Sequence, residues 1–118
     1  MEDISINLET RVSSYLNYLI SIKETRTYAE IADKCDIPSP GKIRKISRIL
    51  LKITEKDIID DKPIRTAVIV SKINKMNGYS IPHEDFFLFL SKNKIYNEEK
   101  NIKSFTQFHK KLITELFS

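Results

Sequence analysis

The stretch that most constrains this chain runs Ser39-Pro40-Gly41-Lys42-Ile43-Arg44-Lys45-Ile46-Ser47-Arg48-Ile49-Leu50-Leu51-Lys52-Ile53. At about 100° per residue, Ile43, Ile46, Ile49, Leu50 and Ile53 share one broad face of a helix, and Arg44, Lys45, Arg48 and Lys52 share the opposite one. The pattern predicts an amphipathic helix with Ser39 at its cap and Pro40 in its first turn, where a missing N–H costs nothing. One side requires a core. The other presents four positive charges, and reads either as a solvated surface or as a face for an anionic partner.

At 118 residues the chain is expected to form one domain (1–118) with a real core. The 41% apolar content argues against disorder. The net charge of +4 hides an asymmetry: residues 1–40 hold four basic and seven acidic side chains, residues 41–118 sixteen and nine. The basic bias begins at the two-faced helix, which favours an anionic partner for that part of the surface. Cys35 is the lone cysteine, so neither an intramolecular disulfide nor a cysteine-based metal cluster can form. The longest apolar block, Phe86 to Leu90, is five residues, far short of a membrane span, and no apolar signal region opens the sequence. A cytoplasmic protein without membrane attachment is expected.

Before the basic stretch, Leu8, Val12, Tyr15, Leu16, Leu19 and Ile22 recur at helical spacing, with Met1 to Asn7 as a lead-in. Thr27 and Glu30 form a capping-box pattern that opens a second helix from Tyr28 to about Cys35, broken by Asp36-Ile37-Pro38. A short helix, a turn and a charged helix make a helix-turn-helix over 27–53. Thr54 and Asp57 repeat the capping pattern and predict a further short turn of helix through Ile59, ended by Asp60-Asp61-Lys62-Pro63. Ile64 to Ser71 is rich in β-branched residues and reads as a strand, with Ile64, Thr66, Val68 and Val70 on one face. Lys72 to Asn77 reads as a polar loop, Asn77-Gly78 as a turn and Tyr79 to Ile81 as the returning strand. The expected architecture is mainly α with a small β-hairpin: a winged helix-turn-helix with its wing over 64–81 and added C-terminal helices over 83–117. In the first of those helices Phe86, Phe87, Leu88, Phe89 and Leu90 are apolar nearly all round; in the last, Ile102, Phe105, His109, Leu112, Ile113 and Leu116 keep helical spacing.

Enzyme chemistry needs a nucleophile or base with partners. His83 reads as a helix-start residue, His109 as a partly buried side chain, and Cys35 as an inert core thiol. Asp57, Asp60 and Asp61 read as a solvated capping cluster, with no glycine-bearing calcium loop around them. Gly41 and Gly78, the two glycines, form no phosphate loop. The expectation is a non-enzymatic protein without cofactor or metal. Nucleic-acid binding draws on more of the sequence: Arg44, Lys45, Arg48 and Lys52 on one face, Lys42 at the helix start, Lys72 and Lys75 on the wing and Arg65 near its base. Arg44 and Arg48 are the stronger base-edge candidates, because a guanidinium makes two parallel hydrogen bonds.

Thr27-Tyr28-Ala29-Glu30-Ile31-Ala32, followed by Lys42-Ile43-Arg44-Lys45-Ile46-Ser47-Arg48-Ile49-Leu50, resembles the DNA-binding half of the O6-alkylguanine alkyltransferases and alkyltransferase-like proteins. That resemblance, over some 45 residues, implies a winged helix-turn-helix that enters the minor groove and turns a damaged nucleotide out of the stack. It implies that Tyr28 crowds the target phosphate and that Arg44 fills the gap left by the everted base. Ala29 and Ser47 stand where the family has glycines, and no cysteine lies near Pro63, which excludes alkyl transfer to this chain. The reading is a double-stranded DNA-binding protein, regulatory or sensing a lesion or DNA structure. The alternative is a module that binds a protein partner, or a second copy through the C-terminal helices, on the same scaffold.

Overall fold

The computed structural model describes residues 4–72, 75, 76 and 78–118, with residues 4–7, 75 and 76 described by their backbone alone. The chain is mainly helical. Five helices run α1 (Ile4–Ile22), α2 (Tyr28–Lys34), α3 (Lys42–Ile59), α4 (Glu84–Lys92) and α5 (Ile102–Phe117). The short strands are β1 (Arg26–Thr27), β2 (Ile69–Val70), β3 (Lys75–Met76) and β4 (Tyr79–Ser80). β1 and β2 pair in parallel, Arg26 opposite Ile69; β3 and β4 pair antiparallel, Lys75 opposite Ser80.

α1 begins at Ile4, inside the stretch expected as a lead-in, and buries Val12, Leu16 and Leu19 completely. The capping box forms as the sequence predicts. Thr27 Oγ1 accepts from the Glu30 N–H at 3.2 Å, and Glu30 Oε1 accepts from the Thr27 N–H at 2.9 Å. These bonds satisfy two backbone donors at the start of α2 and hold the Glu30 carboxyl below the usual glutamate range. Arg11 Nη1 donates to the Cys35 carbonyl at 2.7 Å and ties α1 to the end of α2.

α3 departs from expectation at both ends. Gly41, not Ser39, caps it, with φ +76°, a left-handed conformation that glycine adopts without steric cost. At the other end the helix continues to Ile59 instead of stopping at Ile53. Thr54 opens no new helix; its hydroxyl donates to the Leu50 carbonyl one turn back, at 2.8 Å. Ile46, Leu50 and Ile53 are buried as the periodicity requires, but Ile43 is 50% exposed. It lies in the first turn, beyond the reach of the α1 and α2 core.

The stretch expected as a strand from Ile64 to Ser71 folds as a 3-10 helix over Arg65–Val68 before the two residues of β2. Tertiary packing overrides β propensity here. The segment is wedged among α1, α3 and α5, and Thr66, Ala67, Val68, Ile69 and Val70 are all buried. Alternation between two faces has no meaning where both are core. The hairpin therefore forms between β3 and β4, later than expected, with Gly78 at φ +80°; Asn77, expected to share that turn, lies outside the described residues.

Two apolar clusters meet at this 3-10 segment. One joins α1, α2 and α3 with Val68 and Ile69. The other joins Ile64, Ala67 and Ile81 with Phe86, Phe87, Leu90, Tyr96, Phe105 and Leu112. Phe87 stacks on Phe105 with ring centroids 4.3 Å apart. The Phe-rich helix is thus core, and its apolar exposure falls mainly to Leu88. His109, expected as a partly buried side chain, is fully buried in α5.

Candidate nucleic-acid interface

The basic residues singled out from the sequence divide by their partners. Lys42 pairs with Asp33 at 3.1 Å, across the connection between α2 and α3. Lys45 Nζ donates to the Pro38 carbonyl at 3.0 Å. Both spend their charge bracing the start of α3. Arg44, Arg48 and Lys52 are exposed along the outer side of the helix and, among the described residues, form no ion pair or hydrogen bond. Lys72, just past β2, is exposed and close enough to Glu30 to help hold that carboxylate ionised. The backbone of Lys75 lies in β3, and its side chain is outside the described residues.

Arg65 is not at the base of a basic surface. Its Nε lies 3.2 and 3.1 Å from the two carboxylate oxygens of Asp57, and its Nη2 lies 3.1 Å from Oδ1. Nη1 donates to Ser13 Oγ at 2.8 Å and Asn17 Oδ1 at 3.3 Å. Asp57, expected in a solvated acidic cluster, is 2% exposed. The physical reason is the extension of α3 past Ile53 to Ile59, about 1.7 turns, which carries Asp57 over the 3-10 segment. There it also accepts the Arg65 N–H at 3.1 Å.

Tyr28, expected from the family resemblance to crowd a phosphate, is half-buried. Its hydroxyl accepts the His83 N–H at 3.0 Å, which joins α2 to the start of α4. Burial pushes the phenol up to about 12, opposed in part by that hydrogen bond, so it stays protonated through the physiological range. His83 caps α4, as its position predicts, with Nδ1 accepting the Asp85 N–H at 3.3 Å.

Next to Tyr28 the structure opens a cavity of about 280 Å³, lined by Ile43, Leu50, Leu51 and Phe86 together with Ser47, Thr54 and Thr66, and by the exposed His83 and Asp85. Of the unpaired cations, Arg44 lies nearest to its α3 wall in helical angle. Leu51 follows Arg44 by seven residues and so lies about 20° from it around the helix. The cavity is absent from the sequence reading, because its walls come from α2, α3, the 3-10 segment and α4. A partial signal exists: Leu51 lies off the buried stripe of α3, an apolar side chain without an expected neighbour.

Among the described residues, no helix is long and apolar enough to cross a membrane. Comparison with protein-family models, with curated proteins and with solved structures found no match.

Proposed function

We propose that this chain is a non-enzymatic, cytoplasmic DNA-binding protein that sets the outer face of α3 against a duplex, on a winged helix-turn-helix scaffold extended by C-terminal helices. One observation carries the reading. Arg44, Arg48 and Lys52 project from a single exposed helix face without internal partners among the described residues, whereas Lys42, Lys45 and Arg65 are engaged within the fold. Cations left free on a rigid helix are available to phosphates at no cost in broken ion pairs. The likeness of 27–50 to the alkyltransferase DNA-binding half supports the same face and gives Arg44 the central place. A lesion- or structure-sensing role is the finer form of this reading, supported by the cavity beside Arg44 with Tyr28 on its wall.

Fluorescence anisotropy with a labelled duplex tests it. Three phosphate contacts predict that affinity falls about 40-fold between about 50 and 200 mM salt, and that Arg44→Ala with Arg48→Ala cuts that fall to about fourfold. Absence of binding at low salt, or an unchanged salt dependence in the double variant, would overturn the proposal. A second reading, docking of an acidic protein, is favoured by Ile43 and Leu51, which stand exposed beside the cations and would supply an apolar interface centre. Loss of duplex binding in Arg44→Ala/Arg48→Ala but not in Ile43→Ser/Leu51→Ser separates the two.

A further inference from the structure

Around α3, three stripes follow one another from the core outward. Ile46 and Ile53 are buried. Ile43, Ser47, Leu50, Leu51 and Thr54 then line the cavity, along about three turns or about 16 Å of helix. Arg44 and Arg48 stand just beyond, about 20° and 60° around the helix from Leu51. Ile43 and Leu51 are 50% and 37% exposed, so the cavity reaches solvent along this edge of α3. The opposite edge belongs to the start of α4, where His83 and Asp85 are exposed. One edge is thus cationic and the other carries a carboxylate.

The buried hydroxyls of Thr54 and Thr66 are bonded to each other at 2.6 Å, and Thr54 also reaches the Leu50 carbonyl at 2.8 Å. They need no further partner. What an occupant gains is contact with Ile43, Leu50, Leu51 and Phe86. The space of about 280 Å³ exceeds the roughly 150 Å³ that admits a benzene ring, so a bulky apolar side chain fits. The walls come from helices and the 3-10 segment, whose backbone groups are bonded within their own turns. An extended chain laid here would find no ladder for its own N–H and C=O groups, whereas a helix satisfies them internally.

We infer that the cavity anchors an amphipathic helix of a protein partner, which inserts a large apolar side chain and sets acidic residues along its α3 flank alone. The acidic flank follows from Arg44 and Arg48, which form no ion pair among the described residues. Its confinement to one side follows from Asp85, 80% exposed on the other edge, which repels a second row of carboxylates and a phosphate chain alike. This inference rests on the reading of the face as a dock for an acidic protein, and adds the form and orientation of the partner. Arg44 and Arg48 cannot serve a helix and a duplex at once, so the partner displaces DNA wherever DNA binds.

The probe is a displayed library of alanine-based helical peptides, with apolar residues varied at i, i+4 and i+7 and Glu, Gln or Lys at the flanking positions. Selection on the full chain is expected to enrich bulky anchors with Glu on one flank. In anisotropy with a labelled selected peptide, replacing its anchor by Ala or its Glu by Gln should weaken binding about tenfold or more. Leu51→Lys and Arg44→Ala/Arg48→Ala, all exposed positions of the chain, should do the same. No enrichment, enrichment without a Glu preference, or binding indifferent to Leu51→Lys would overturn the inference. So would an oligonucleotide that shifts the amides of Ser47, Leu51 and Phe86 where no peptide does. A peptide that binds while no duplex does upholds the groove and removes the duplex reading; a duplex that binds while no peptide is enriched does the reverse.

Discussion

Asp57 and Arg65 form a bidentate pair that closes the end of α3 onto the 3-10 segment, with the carboxylate also accepting the Arg65 N–H. The arginine is a quarter exposed and the aspartate almost wholly buried. A latch of this kind contributes little over a well-packed apolar pair, but breaking one side strands the other. Asp57→Asn is expected to cost about 3 kcal/mol, read by urea denaturation. Combined with Arg65→Gln, the loss should fall short of the sum of the two singles by about 2 kcal/mol. Since Arg65 is held internally, Arg65→Gln should leave the salt dependence of duplex binding unchanged. A shallower slope would return it to the binding surface.

His109 links three elements through one ring. Its Nε2 donates to the Ala67 carbonyl at 2.7 Å, which leaves Nδ1 to accept from the Tyr79 hydroxyl at 3.0 Å. Burial pushes the imidazole below its ordinary value of 6.5, partly opposed by the Ala67 bond. The unfolded chain therefore binds the proton more readily than the folded one. Stability from the neutral ring is complete above about pH 6.5 and is lost as pH falls from there toward the lower folded value. The melting temperature should drop between about pH 7.5 and 5, and His109→Gln, which keeps a donor for Ala67, should flatten that decline. A parallel decline in the variant would remove His109 as the cause.

Phe87 is completely buried, stacked on Phe105 and edge-on to Phe86 and Tyr96 at 5.2 and 5.9 Å. Phe87→Ala should cost about 3–5 kcal/mol, a large share of the stability of a small domain. Leu88→Ala, one residue on but 40% exposed, should change it by no more than about 0.5 kcal/mol. Equilibrium denaturation of both variants checks the assignment of this helix to the core instead of to an interface.

The sequence by itself determined the features that depend on neighbours along the chain. The Thr27–Glu30 capping box, the buried stripe Ile46, Leu50 and Ile53, and the exposed row Arg44, Arg48 and Lys52 are all set by spacing within one helix or its first turn. Such interactions close over three or four residues, so their residue types announce them. Tertiary structure decided the rest. Residues 65–70 are rich in β-branched side chains suited to a strand, yet Arg65–Val68 coil into a 3-10 turn, because α1, α3 and α5 all pack against the segment. Arg65 reads as a surface cation until α3 runs past its expected end and brings Asp57 to it. Beyond the stray apolar Leu51 on α3, the cavity leaves no trace in any one segment, since Tyr28, Leu51, Thr66 and Phe86 become neighbours only when four separate elements pack. Short-range hydrogen bonding is written in local spacing, whereas ion pairs and cavities between distant residues exist only after the core has fixed which surfaces meet.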